Sequence, residues 1–334
     1  MPSPTRPARV VCVALSPSID VTYLVRRLEP GGIHRPHEVF RVAGGKGFNV
    51  ARTAHLLGAD VVACGVLGGD SGAWLLAMLA RTGMRLATVP ATSPTRMCVA
   101  VADEARGSLT EFYEPIPALT PKAWNDLKAT VVRLCDEHPP SWVCLSGSMP
   151  PRLVPEALGD LVAAAKGAGA RVAVDTHTTA IAAAAGAGAD LLKVNVDEAA
   201  ALLGAGQGTG YGAPDPGAGD WRSDPAALAA RVLYGAPRTS LAIITAGPGG
   251  AVAAPRGGQA LRVALDVQGT YQMGSGDSFL GGLLAALADA PDDLPGALRL
   301  AAGAGAANAL VPGAGVLDAA TARDLADQVC LTPA

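Results

Sequence analysis

Trp142-Val143-Cys144-Leu145-Ser146, a helical stretch at about Pro155–Gly167, then Arg171-Val172-Ala173-Val174-Asp175: this segment decides the fold. Two short apolar runs flank an Ala/Leu-rich span long enough for a helix. A strand, a helix and a second strand in that order make a parallel pair, because the crossover returns the chain to the edge it left. Runs without polar alternation belong in a sheet covered on both faces. The same rhythm recurs outward. Strands are expected at Val10–Leu15, Asp60–Val66, Leu191–Val194 and Leu241–Thr245, and helices at Phe48–Leu57, Gly72–Arg81, Asp277–Ala288 and Pro295–Ala309. The fold class is α/β, three layers with a mostly parallel central sheet.

Two regions break that rhythm. At 33–42 and 95–114 the pattern alternates, as in Met97-Cys98-Val99-Ala100-Val101 and Leu109-Thr110-Glu111-Phe112-Tyr113, which predicts half-exposed antiparallel strands. They form either a small β-sheet lid, spanning about 20–42 and 95–116, or extra edge strands of the main sheet. The stretch from Gly204 to Trp221 is Gly- and Pro-rich without hydrophobic period and reads as a mobile surface loop. It lacks the preceding strand and following lysine of a phosphate loop. The chain therefore reads as a single domain over residues 1–334.

Bulk composition narrows the function classes. With 334 residues, 50% hydrophobic and 16% charged, the chain can build a large core. A net charge of −3 without a basic stretch argues against nucleic acid as a partner. No stretch approaches the ~20 apolar residues of a membrane span. The six cysteines are scattered, mostly inside apolar runs, which fits buried thiols in a cytoplasmic protein.

Three motifs carry chemistry. Gly274-Ser275-Gly276-Asp277-Ser278-Phe279 leads directly into an apolar-periodic helix. Small residues there let the backbone approach a ligand, and consecutive N–H groups at a helix start attract an anion. Asp277 is either a functional carboxylate or a helix cap. Gly44-Gly45-Lys46-Gly47-Phe48-Asn49 opens a second helix, with Lys46 and Asn49 placed at the turn. Lys193-Val194-Asn195-Val196-Asp197-Glu198 ends a strand and starts a helix. Asn195 and Glu198 either organise Mg²⁺ waters around a phosphate or form a capping box. Ser16-Pro17-Ser18-Ile19-Asp20 and Ser146-Gly147-Ser148-Met149-Pro150 follow strands, at the carboxyl ends where open α/β sheets bind ligands.

Taken together and in this order, the motifs resemble the ribokinase-like (PfkB) carbohydrate kinases, over about residues 10–315. The resemblance implies an α/β/α fold with a β-sheet lid and transfer of the ATP γ-phosphate to a sugar hydroxyl, with Mg²⁺. It implies that Asp277 is the base and that Gly274, Ser275 and Gly276 supply backbone N–H groups to the phosphoryl. Lys193 would neutralise charge, and Asn195 and Glu198 would hold the metal. Asp20, Gly45, Lys46, Asn49 and Ser148 would bind the sugar, and Thr245, Gly247, Gly250 and Asn195 the nucleotide. Ser-Pro-Ser-Ile-Asp at 16–20, Thr95-Arg96 and Leu-Ser-Gly-Ser-Met-Pro-Pro at 145–151 look most similar to the phosphosugar branch (1-phosphofructokinase, tagatose-6-phosphate kinase and the minor 6-phosphofructokinase). That branch implies a cationic pocket from Arg35, Lys46 and Arg96. A kinase of an unphosphorylated sugar or nucleoside, and a binding relative without catalysis, are the alternatives. Family lids often pair, so a homodimer is expected. The chain departs from the family pattern at Tyr271-Gln272-Met273, at Asp175-Thr176-His177-Thr178-Thr179, at Thr245-Ala246-Gly247 and in lacking a proline between Lys193 and Asn195.

Overall fold

The computed structural model describes residues 9–204 and 224–334, so all but Gly204 of the Gly/Pro-rich segment lies outside the described residues. The chain begins β1 (Arg9–Ala14), β2 (Ser18–Val25), β3 (Glu38–Gly44), α1 (Lys46–Leu56), β4 (Asp60–Gly68), α2 (Gly69–Ala80) and β5 (Arg85–Ala91). It continues with β6 (Arg96–Asp103), β7 (Ser108–Tyr113), α3 (Pro121–Glu137), β8 (Trp142–Ser146), α4 (Pro155–Gly167), β9 (Arg171–Asp175) and α5 (Thr178–Gly186). Next come β10 (Leu191–Asn195), α6 (Val196–Gly204), α7 (Pro225–Gly235), β11 (Leu241–Thr245), β12 (Ala251–Pro255) and β13 (Leu261–Ala264). The last elements are α8 (Ser275–Asp289), α9 (Leu294–Ala309), α10 (Ala319–Ala326) and β14 (Cys330–Pro333).

Ten strands form the large sheet, in the order β14-β13-β12-β11-β10-β9-β8-β1-β4-β5. From β11 to β5 all neighbours are parallel. Alternate residues of each strand feed two cores. Val10, Cys12 and Ala14 join one hydrophobic cluster and Val11, Val13 and Leu15 the other. Burial on both faces is why these strands read as unbroken apolar runs. The antiparallel edge made by β12, β13 and β14 was not predicted, because these strands are short and carry a weak pattern. Among the described residues no helix is long and apolar enough to cross a membrane.

The alternating segments form a separate sheet, β3-β2-β6-β7, not extra edge strands of the large one. Its outer pairs are antiparallel as expected, but the central β2–β6 pair is parallel. Ser18-Ile19-Asp20-Val21-Thr22-Tyr23 alternates polar and apolar residues, so the strand signal extends below residue 20. This sheet roots at Ser18, Gly44 and Arg96, which lie side by side in the register.

Strand order sets where a ligand fits. The chain leaves β1 toward β4 and β5 on one side, and β8 to β11 fill the other. The β1–β8 border is therefore the switch point at which loops from the carboxyl ends diverge and leave a crevice. The small sheet is attached there.

Candidate active site

Helix α8 starts at Gly274, whose φ of 79° is the left-handed conformation that glycine adopts without strain. A Cβ there would lie 2.7 Å from Ala314, so the turn also needs the missing side chain to pack on the 313–315 loop. Buried Asn308 holds the two loops together. Its Nδ2 donates to the Met273 carbonyl (2.8 Å) and its Oδ1 accepts from the Gly315 N–H (2.7 Å). No side chain caps α8. The Ser275 N–H donates to the Gln272 carbonyl (3.1 Å), which takes it out of the expected set of anion donors. The Gly276 and Asp277 N–H groups are the ones left for a ligand.

Asp277 is buried and does not cap its helix. Its Oδ2 accepts from Asn49 Nδ2 (2.9 Å). Asn49 is fixed in turn by Arg52, whose Nη2 donates to Asn49 Oδ1 (2.8 Å). This orients the amide so that its NH₂ faces Asp277. Arg52 is itself buried and also donates to the carbonyls of Ala43, Ala314 and Gly315, at 2.6, 2.5 and 3.1 Å. One guanidinium thus ties the root of the small sheet, helix α1 and the loop beneath Gly274 to one another. Burial lowers the Arg52 pKa to about 10, which leaves it charged at neutral pH. Burial pushes the Asp277 carboxyl up to about 6, opposed by Lys46 and reinforced by Asp175.

Asp175, at the end of β9, is fully buried and shared by two lysines. Lys193 Nζ donates to Oδ2 at 2.8 Å and Lys46 Nζ to Oδ1 at 3.0 Å. Burial favours the neutral acid, but the two ammonium groups outweigh it and hold Asp175 at about 2. A Cβ on Gly276 would lie 2.9 Å from Lys193 Nζ, so this ammonium stands directly beside the two free N–H groups of α8. The Lys46 ammonium faces Asp175 and lies 3.6 Å from Glu198 Oε1.

Asn195 and Glu198 form the capping box. Asn195 Oδ1 accepts from the Glu198 N–H (2.7 Å) and Glu198 Oε2 from the Asn195 N–H (3.0 Å). Glu198 Oε1 still faces the site. Asn195 pairs with Thr245 across β10 and β11, which puts the two candidate nucleotide strands together at their carboxyl ends. Gly247 and Gly250 follow in a short turn with φ of 55° and 82°.

On the other side of the crevice, Asp20 is buried on β2 against Gly44 and accepts from Ser18 Oγ (2.6 Å). Burial raises its pKa, against Ser18 and Arg52. Gly45 has a φ of 90°, and a Cβ there would meet the Ser16 carbonyl at 2.7 Å. Arg96 pairs with Ser18 at the sheet root, and its buried Nε has no hydrogen-bond partner among the described residues. Ser16, Thr95 and Pro150 line one small cleft; Arg96 follows Thr95 in the chain and Ser148 lies two residues before Pro150, and neither lines the cleft itself. Arg35 is not brought there. The β2–β3 ladder runs from Ser18–Gly44 to Leu24–Glu38, and exposed Arg35 lies beyond its far end. At ~3.3 Å per residue, six residues put that end roughly 20 Å from Arg96. A shallow groove along α3, bordered by Lys128, Arg133 and Asp136, contains none of these residues.

Sequence reasoning missed Arg52, Asn308 and the bridging role of Asp175. Arg52 carried a signal, since an arginine at an apolar-periodic position of a helix must find buried acceptors.

An uncapped glycine-led helix, a buried carboxylate and two lysines around its first turn, all at the carboxyl ends of a parallel sheet, form an arrangement chemically suited to an anionic group. Residues 7–320 match the family described as pfkB family carbohydrate kinase, and the chain belongs to it. It is 31% identical to a tagatose-6-phosphate kinase of Staphylococcus epidermidis over 160 residues, 48% of this chain and 50% of the relative. It is 32% identical to the ATP-dependent 6-phosphofructokinase isozyme 2 of Escherichia coli over 163 residues, 49% and 52%. The matched region is thus about half the length of these curated relatives. The phosphofructokinase-2 of Escherichia coli in complex with fructose-6-phosphate superposes with a TM-score of 0.82 at 27% identity, covering 96% of this chain and 98% of that one.

Proposed function

We propose that this protein is a kinase that transfers the ATP γ-phosphate to a hydroxyl of a phosphorylated ketohexose. The observation that carries the reading is Asp277: a buried carboxylate, held by Asn49, in the first turn of a helix whose free N–H groups adjoin Lys193. Phosphoryl transfer asks for positioning and charge neutralisation more than covalent chemistry, and these groups provide both. Asp277 accepts the proton of the attacking hydroxyl. The Gly276 and Asp277 N–H groups and Lys193 face the developing charge. Asp20 and the remaining Asn49 donor hydrogen orient the sugar. Thr245, Gly247, Gly250 and Asn195 border the nucleotide. The described residues contain no cluster of three or more His, Cys, Asp or Glu able to hold a metal. Glu198 Oε1, which accepts no hydrogen bond among the described residues but lies 3.6 Å from Lys46 Nζ, would be the protein oxygen to hold Mg²⁺, which would neutralise charge on the phosphates.

Arg96 and Ser148 are assigned to the acceptor phosphate. The relatives named for tagatose 6-phosphate and fructose 6-phosphate support this. Turnover is expected to be much faster with fructose 1-phosphate, fructose 6-phosphate or tagatose 6-phosphate than with ribose, fructose or nucleosides. Arg96→Ala is expected to raise the acceptor KM by about 10–100-fold, the value of a hydrogen bond between charged groups. Turnover confined to unphosphorylated acceptors would keep the kinase and remove the phosphate pocket. ATP binding without turnover on any acceptor would leave a binding protein.

Val39, Phe112 and Tyr113 lie exposed on the small sheet, which supports pairing with a second copy there. A tetrameric form is described for the phosphofructokinase-2 of Escherichia coli. Phe112→Asp is expected to shift size-exclusion elution to that of a single chain. An unchanged profile counts against pairing through this sheet. A cytoplasmic setting accords with the buried free thiols and the need for ATP.

A further inference from the structure

His177 lies between the loop that carries Ser148 and the helix that carries Glu198. It is the N-cap of α5, one residue past Thr176, whose Oγ1 donates to the Gly147 carbonyl (2.6 Å). The Gly147 N–H donates to the Asp175 carbonyl (2.9 Å), so the loops after β8 and β9 are cross-tied and hold their side chains in fixed relation. His177 Nε2 lies 2.5 Å from Ser148 Oγ. Its Nδ1 faces the carboxylate of Glu198 at 4.0 Å, too far for a hydrogen bond. The ring is 58% exposed and its backbone is anchored, so it presents a ring edge to the crevice without being part of the core.

The strand order fixes which half of the site that edge serves. The carboxyl ends run β11, β10, β9, β8, β1, from the candidate nucleotide strands to the switch-point crevice. His177 follows β9, and its Nε2 is turned toward β8 and Ser148, away from β10. The cleft on that side carries Ser16, Thr95 and Pro150; Arg96, next in the chain to Thr95, donates from Nη1 to the Glu114 carbonyl (3.3 Å) and has a buried Nε without a partner among the described residues. The charged groups facing His177 are Glu198 of α6 and, through it, Lys46 of α1. Lys46 already donates to Asp175, whereas Arg52 and Arg96 act on Asp20.

We infer that His177 is a specificity residue for the acceptor: Nε2 and Ser148 Oγ form a pair of donors for the phosphate monoester of the sugar, opposite Arg96. In the ligand-free chain the two side chains bond to each other. A phosphate oxygen would accept from both at once and replace the single hydrogen bond between them with two to an anion. The inference rests on the phosphosugar reading above.

The test compares His177→Ala, His177→Gln and Arg96→Ala with the parent chain. Each is assayed on the fastest acceptor among fructose 1-phosphate, fructose 6-phosphate and tagatose 6-phosphate, and on its dephosphorylated counterpart. His177→Ala is expected to raise KM for the phosphorylated sugar by about 10–100-fold, with kcat for that sugar, KM for ATP and kcat/KM for the dephosphorylated sugar little changed. Gln, which can put an amide N–H near the Nε2 position, is expected to recover most of the loss. Unchanged KM in His177→Ala, an equal loss on both acceptors, or a raised KM for ATP instead would each overturn the inference. If Arg96→Ala raises the phosphosugar KM while His177→Ala does not, only this inference falls. If the parent chain itself shows no preference for phosphorylated acceptors, the phosphosugar reading falls with it.

Discussion

Asp277→Asn is expected to bind ATP as the parent chain does and to turn over ~10²–10⁴-fold more slowly, the range for a lost general base. Asparagine keeps the volume and can still accept from Asn49, so the first turn of α8 and its N–H groups stay in place. The same substitution should stabilise the fold at neutral pH. Burial raises the Asp277 carboxyl from 3.8 to about 6, so the native state prefers the protonated acid. Stability from this group is fully present below about pH 4 and is lost as pH rises through about 6. A shift of roughly two units corresponds to up to ~3 kcal/mol at pH 7, which the neutral amide recovers. Calorimetric melting and steady-state kinetics on one preparation check both halves. Near-parental turnover would remove Asp277 from its role. A lowered melting point would show that Asn49 and the lysines more than compensate the buried charge.

The pH profile follows from the same group. A base must be ionised to accept a proton, so kcat/KM of the parent chain should fall tenfold per pH unit below about 6, from the free enzyme's Asp277. A flat profile down to pH 5 would mean that another group takes the proton.

Much of this site was legible because glycine patterns and strand ends are local signals. Gly274–Asp277, Gly44–Asn49 and Lys193–Glu198 each join a strand or turn to a helix, and strand order then brings their carboxyl ends together. The alternative roles for Asp277 and Glu198 were not separable from sequence, because both functions place a carboxylate in a first helical turn. Asp277 bonds to a side chain 228 residues away, whereas Glu198 bonds to the backbone three residues back. Arg35 and Arg96 looked equivalent because a lid's alternation does not say which end is rooted. The β2–β3 register puts only Arg96 at the root. The parallel β2–β6 pair was hidden for a similar reason, since alternation predicts a half-buried strand but not the direction of its neighbour.

Asp175→Asn is the substitution expected to damage both stability and activity. The carboxylate is shared by Lys46 and Lys193, and Lys193 is only 5% exposed. Removing the charge leaves a buried ammonium without its counter-ion, which typically costs about 3–5 kcal/mol. Lys193 Nζ also lies 2.9 Å from where a Cβ of Gly276 would be, so a displaced ammonium empties the position beside the free N–H groups of α8. Turnover should fall by ~10²-fold or more, comparable to loss of one preorganised donor to a developing charge. Lys193 and Lys46 hold Asp175 at about 2, below its ordinary 3.8. The stability it supplies is therefore complete above about pH 4 and disappears as pH falls toward 2. Urea midpoints of parent and variant should differ widely at pH 7 and converge on acidification. The double variant Asp175→Asn with Lys193→Met separates the two effects, since it deletes both charges of the pair. It should recover much of the lost stability and none of the activity. A double variant as unstable as Asp175→Asn alone would mean that the Asp175 carboxylate stabilises the fold through Lys46 or the β9 backbone instead, with Lys193 free to serve the phosphoryl without it.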